Sequence, residues 1–524
     1  MQPPHGHQPA NELFPGRRRF TNDDTLGERA MYRPSDPQKP LFGAAGLLSQ
    51  SQRDLCVKSW AEPFRQHALP ILREVEGDFA NLFDAEKGRP NRPVELVLAV
   101  LILKDMKDLT DEEALEALAF DARWWWALER ELHELHLCQK TLHNFRQRLL
   151  EHKDTDKKKL AFRRVTDKLI EALGVKVDRQ RLDSKHLLSN FAVLTRLGLF
   201  CETIRVFLKE VKKLDPKAYE ALPAGLLKRH GEDSCYGDAR RADGPRRLEV
   251  VARDVGRLVT RFEKHEPVRA TEGWTLLRRL FDEQCVISAK PQDPAKDEDD
   301  HDDGSAAAKL KPAAEVTSDS LQTPHDPDAT YSGHKGKGYE AHIAETCVAD
   351  NGVQLITDVE VRPSCQDDSR ATVPTVEALA AAGHKPEEVV ADTTYSGAKN
   401  AAALAGQGVN LLAPAPAVAK PEPGREYPPP APQCPADPKQ AGEWLRQQEA
   451  SPDFKKRYAI RAGIEATNSE LNRAHGMKKL RVRGEARVKL AVYFKALACN
   501  LKRALKHWLE PAPAPAPEGA AALA

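Results

Sequence analysis

The sequence predicts an α/β core joined to an all-helical N-terminal domain and interrupted by a helical insertion after its first strand. Three observations carry this. From Gln52 to His152 the apolar residues recur at helical spacing. After Thr330 strand-like runs alternate with helical ones. One alternating run, Val175–Leu182, stands apart from those strands, separated by helical periodicity over 191–290.

Taken in order, residues 1–51 are rich in Pro, Gly and Arg and read as a flexible arm. In the helical domain 52–152, Pro93 opens a nearly continuous apolar run to Lys104, and Thr110 with Glu113 offers a capped start for a helix through Phe120. Helices carrying Trp124–Trp126 and covering Lys140–His152 follow. The first core strand lies within 170–190 and is expected to end at Asp183. The insertion 191–328 contains helices near Thr203–Leu214 and Arg246–Lys264, then the run PQDPAKDEDDHDDG, whose like charges resist packing. In the core segment 329–414, strands are expected at Tyr339–Ala349 and Val353–Val361, with a turn at Asp350-Asn351-Gly352. A helix at Ser369–Ala382, a buried strand at Glu388–Asp392, a helix after Gly397 and a strand at Val409–Ala413 complete the alternation. A proline-rich linker, 415–453, precedes two strong helices within 454–509, and 510–524 is a low-complexity tail.

At 524 residues the chain exceeds one ordinary core, and its net charge of +1 conceals local asymmetry. Its nine cysteines form no CxxC pair, which reads as reduced thiols. The N-terminus lacks an apolar signal region, and no stretch approaches the roughly 18–20 apolar residues of a membrane helix. A cytoplasmic protein is expected.

Three acids stand out by their settings. Asp183 closes the run RLD, Asp392 closes the apolar run EVVAD, and Glu465 lies on a helix whose spacing places Tyr458, Arg461 and Glu465 on one face. Carboxylates at strand ends converge where α/β sheets bind ligands. Brought together they repel one another unless cations intervene, and hard oxygen ligands suit Mg²⁺. Each acid also has a plainer reading: Asp183 as a turn residue, Asp392 as a helix cap, Glu465 as a solvated partner of Arg461.

Four segments in order, RLDSKHLLSN, DPDATYSGHKGKGYEAH, VVADTTYSGAKN and YAIRAGIEATNSELNRAHG, resemble the DDE transposases of bacterial insertion sequences, and the likeness runs on through RVRGEARVKLAVYFKALACNLKRAL. The resemblance implies a ribonuclease H-like core with a mixed sheet, Mg²⁺ (or Mn²⁺) held by Asp183, Asp392 and Glu465, and DNA strand cleavage followed by strand transfer. It also implies that Tyr458 and Arg461 handle DNA phosphates. The family signature places a basic residue seven positions after the glutamate; here Asn472 stands there, with Arg473 adjacent. Relatives often carry a cysteine-rich loop before the glutamate helix, whereas here only Cys434 remains and no zinc is expected in that loop.

DNA contacts are expected elsewhere too. Residues 455–506 hold 15 Lys and Arg against three acids, a net of +12, and Arg473, Lys478, Lys479, Arg481 and Arg483 are its candidate phosphate contacts. Lys140, Asn144 and Arg146 supply donors of the kind that read base edges, although any amphipathic surface helix can show the same set. The lysines of Gly333–Gly338 form a second basic loop. His133, His136, Cys138 and His143 crowd together without the spacing of a zinc finger. The partner is therefore double-stranded DNA, with a homodimer expected at least on DNA. Two rivals stay open: a nuclease of the same fold without strand transfer, and a non-catalytic DNA-binding descendant.

Overall fold

In the computed structural model the described residues are 31–35, 43–84, Glu86, 88–231, 234–238, 243–288 and 307–510. Most of the arm, the acidic run after Pro291 and the tail beyond Glu510 lie outside them.

The core strands are β1 (Arg179–Leu187), β4 (Thr330–Ser332), β5 (Gly336–Thr346), β6 (Ile356–Pro363), β7 (Glu388–Ala391) and β8 (Asn410–Leu412), while β2 (Cys285–Ser288) and β3 (Ala307–Leu310) form a separate antiparallel ribbon in the insertion. The main sheet is mixed. β5 pairs antiparallel with β1, β4 and β6, whereas β7 lies parallel to β1, and β8 parallel to β7. The strand expected to end at Asp183 instead runs on to Leu187, because the antiparallel ladder with β5 continues as far as Leu187 opposite Tyr339. The parallel ladder stops earlier, at Leu182 opposite Ala391. Asp183 and Asp392 are each the next residue after that last rung.

The expected helical caps form. Thr110 and Glu113 make a reciprocal capping box at the start of Asp111–Phe120, and Pro93 precedes the nearly fully buried helix Val94–Met106. The helical region 52–152 shares one apolar core with the sheet: Phe79, Leu98, Leu101 and Phe145 belong to the same buried cluster as Ile343, Val359, Leu497 and Leu501. The boundary at His152 therefore marks no break in packing. At the centre of this core runs the helix Glu485–Leu509, 25 residues long and buried from Val488 to Leu505 along much of its surface. The positive charge counted over 455–506 is therefore not all at the surface. Lys495 is buried against Asp105, Asp108 and the His475 carbonyl, and Arg503 is paired with Glu345 and Glu470.

The insertion has its own core, where Phe207, Phe262, Trp274 and Leu277 join the helices Arg196–Leu214, Gly244–Phe262 and Glu272–Gln284. The proline-rich linker is interrupted by a helix, Pro438–Ala450, capped by Asp437 and contributing Trp444 and Leu445 to the core around Ala402 and Leu404. No described helix is long and apolar enough to cross a membrane.

Candidate active site

The site assembles where the parallel ladder ends. Asp183 points from β1 and Asp392 follows β7, so the register sets them side by side. Asp392 also accepts hydrogen bonds from the Thr394 amide (2.9 Å) and hydroxyl, which pins the turn beyond the strand. It does not cap the next helix, Ala398–Gly406, whose N-cap position is Gly397. Glu465 comes from the helix Gly463–Arg473, reached through one tighter turn at Ala459–Ala462 after the short helix Phe454–Tyr458.

One guanidinium connects all three acids. Arg461 Nη2 lies 3.1 Å from Asp183 and 3.6 Å from Asp392, and its Nη1 lies 3.4 Å from Glu465. Burial pushes the Asp183 carboxyl up to about 6; Glu465 and Asp392 add to the rise and Arg461 opposes it. Access grades across the group: the Asp183 side chain is 9% exposed, that of Asp392 30% and that of Glu465 62%. The plain reading of Glu465 as a partner of Arg461 is therefore also true, but Arg461 is shared with two acids from the sheet.

Sequence reasoning missed the clamp that holds the glutamate helix to β1. Asn468 donates to Asp183 at 3.0 Å, and its carbonyl accepts from Lys185 at 3.1 Å. Its place three residues after Glu465 puts it on the same helix face, a signal present in the sequence. Burial, with Lys478 nearby, lowers Lys185 to about 8. A second clamp runs through Arg181, which pairs with Glu345 and donates to the Ile460 carbonyl at 3.0 Å. A Cβ at Gly463 would sit 1.9 Å from Arg181 Nη1, so a larger residue there would push the guanidinium from its place between Glu345 and the Ile460 carbonyl. Tyr458 stacks on Phe454, with ring centroids 5.3 Å apart, and packs beside Val390 and Leu412 at the end of the sheet.

A family model for the transposase DDE domain matches residues 315–501, and a second, described as a transposase domain, matches residues 64–148. The chain belongs to the DDE transposases. The first match contains Asp392 and Glu465 and begins after β1, so Asp183 enters the group through the sheet register. Searches of curated proteins and of solved structures return no match.

Transposases act on DNA, and those of this family generally use divalent metal. The donor set of this transposase fits such an ion: three carboxylates face one another, and a side-chain cation stands among them.

The remaining candidate DNA-binding residues divide into two groups. Lys140, Arg473, Lys478 and Lys479 are exposed, and Asn144 is half-exposed. The segment carrying Lys478 and Lys479 runs beside the continuation of β1, with the Leu188 amide donating to the Lys478 carbonyl and the Leu480 amide to the Leu188 carbonyl. By contrast, Arg146 is paired with Asp111, Arg481 with Asp108, and Arg483 donates to the Asn190 carbonyl. The lysines of the Gly333–Gly338 loop also turn inward. Lys337 donates to the Leu194 carbonyl, and Lys335 contacts Ser184, Asp368 and Glu340.

Lys335 belongs to a polar network on the opposite face of the sheet. Ser184 opposite His342, and His186 opposite Glu340, alternate with the Asp183 face. Ser184 donates to Asp368 at 2.8 Å, and His342 Nδ1 lies 2.7 Å from the Tyr395 hydroxyl. Burial raises Glu340 to about 7, with Lys335 opposing the rise, and burial lowers His342 to about 4. The network thus ties the neighbour of Asp183 to the turn that follows Asp392.

Proposed function

We propose that this transposase cuts DNA at transposon ends to leave a 3′-hydroxyl and then joins that hydroxyl to target DNA, with Asp183, Asp392 and Glu465 as the ligands of Mg²⁺ (or Mn²⁺). The observation that carries the proposal is the convergence of these three carboxylates, from distant parts of the chain, on the single guanidinium of Arg461. A ribonuclease H-like core is supported by the strand arrangement, with β6, β5 and β1 successively antiparallel and β7 and β8 parallel to β1.

Divalent ions bound there would supply the positive charge that activates the attacking oxygen and stabilises the leaving one. Asp183 is the rigid ligand, fixed by burial and by Asn468; Glu465 is the open one. Arg461 is charged at all working pH values and is suited to pass from carboxylate to DNA phosphate when the site fills. Tyr458 borders the same opening. Lys478, Lys479 and Arg473 continue the cationic path from the site, while Lys140 and Asn144 on the helix Gln139–Glu151 read transposon-end DNA. The two ends are held by a homodimer on DNA.

The test is a cleavage and strand-transfer assay on end-containing DNA, run beside a binding assay. Asp183→Asn, Asp392→Asn and Glu465→Gln should each abolish both reactions, a loss of several kcal/mol in barrier at ~1.4 kcal/mol per tenfold in rate, while DNA affinity holds or rises. Normal cleavage by any one variant removes that residue from the site. Cleavage without joining in the wild type would make the protein a nuclease.

A further inference from the structure

We propose a second metal site, distinct from the carboxylate triad, in which Glu470, His475 and Cys499 bind zinc. One potential ligand atom from each residue lies within 4.8 Å of the other two. His475 and Cys499 are fully buried, and Glu470 closes the group from the helix that carries Glu465. Thiolate, imidazole and carboxylate together form a set that zinc accepts and Mg²⁺ does not favour.

The decisive feature is the histidine. His475 Nδ1 lies 3.0 Å from the Asp105 carbonyl, so the hydrogen on this ring sits at Nδ1 and is donated to that oxygen. This leaves Nε2 as a bare lone pair. Nε2 is buried and has no hydrogen-bond partner, an expensive state for a polar atom unless something occupies it. A backbone carbonyl that fixes the ring from behind is also the usual support of a metal-binding histidine. A second such group among the described residues, Glu340 with His342 and Asp368, also has a cation at its carboxylates, as Glu470 has Arg503 and Lys502, but of the two histidines His475 alone holds a buried ring nitrogen without a partner.

On binding, the Cys499 S–H bond breaks, its proton leaves to solvent, and the sulfur's electron pair forms the bond to Zn²⁺. The ion's two positive charges would be met by the thiolate and by the Glu470 carboxylate, which would exchange its contacts with Arg503 and Lys502 for the ion. Arg503, which lies 3.0 Å from Glu470, keeps a second carboxylate partner in Glu345, and Lys502 reaches Glu470 from a more exposed position. The ion would join three elements: the helix bearing Glu465, the helix Glu485–Leu509, and, through Asp105, the helix Val94–Met106 of the N-terminal region. Its role is a staple that fixes the glutamate helix against the core.

The test uses the full-length protein carrying Asp183→Asn and Glu465→Gln, so that the triad contributes no metal. Expressed with zinc and dialysed, it should retain one equivalent of zinc, measured by elemental analysis, and chelation should lower its melting temperature. Replacing Cys499 with Ala or His475 with Gln should remove that equivalent. Loading the chelated protein with Co²⁺ should give the thiolate-to-metal charge-transfer absorption that only a cysteine ligand produces. Absence of retained zinc and of that absorption overturns the proposal, and this result needs no Cys499 or His475 variant to fold. Zinc retained at full stoichiometry by Cys499→Ala overturns it equally.

Discussion

The two faces of the central sheet carry similar chemistry and put it to different use. On the front, Asp183, Asp392 and Glu465 share Arg461; on the back, Glu340 and Asp368 share Lys335. The difference lies in access. The back-face carboxylates are buried, at 2% and 9% side-chain exposure, and their lysine is further tied to Ser184. On the front, exposure rises toward Glu465 at 62%, so an outside ion or a phosphate can reach the group. An acidic cluster becomes a candidate catalytic site when its internal cation can be replaced, and a structural one when it cannot.

The largest effect that separates the two faces is in stability. Lys335→Ala strands two buried carboxylates and should cost about 1–3 kcal/mol, less than a fully buried pair because the lysine itself is 34% exposed. Asp392→Asn, on the open face, should change stability by less than about 1 kcal/mol. Urea denaturation of both variants measures this, and equal midpoints would erase the distinction between the faces.

A middle-sized effect concerns the clamp. Asn468→Ala removes the donor to Asp183 and should slow cleavage about tenfold to a hundredfold through misplacement of the acid, with DNA affinity unchanged. A change confined to DNA affinity would place Asn468 in the DNA path instead.

The smallest effect divides the basic residues. Lys478→Ala with Lys479→Ala should flatten the slope of log K against log salt by roughly one for each DNA phosphate that is no longer neutralised. Arg481→Ala should leave that slope nearly unchanged and act on stability, since its guanidinium holds Asp108 and the Asp108 and Leu109 carbonyls. The reverse pattern would mean that the ion pair with Asp108 opens on DNA.

What the sequence made legible follows from locality. Asp392 is marked by the apolar run that ends at it, and Arg461 with Glu465 by their spacing on one helix. The Thr110–Glu113 cap is likewise local, and it forms as expected. Asp183 was recognisable as a residue but not as a mid-strand one, because the strand's continuation depends on β5, far along the chain. The back-face network was hidden for the same reason: alternation along β1 separates Ser184 and His186 from Asp183, but only the register with β5 brings them to Glu340 and His342. Counting charges over 455–506 overstated the basic surface, because the partners of Arg481, Lys495 and Arg503 lie at Asp108, Asp105 and Glu345. The packing of region 52–152 on the sheet was not legible either, since apolar periodicity reveals a helix's buried face and not what covers it.

The most direct test of the central claim is a Mn²⁺ binding isotherm, followed by the electron paramagnetic resonance of the free ion, for the wild type and for Asp183→Asn, Asp392→Asn and Glu465→Gln. If the three acids form one cation site, the wild type binds Mn²⁺ and each variant loses at least tenfold in affinity, with Asp183→Asn, the buried ligand, losing most. Wild-type affinity in Asp183→Asn would show that the carboxylates gathered around Arg461 form a salt-bridge cluster and not the metal site of this transposase.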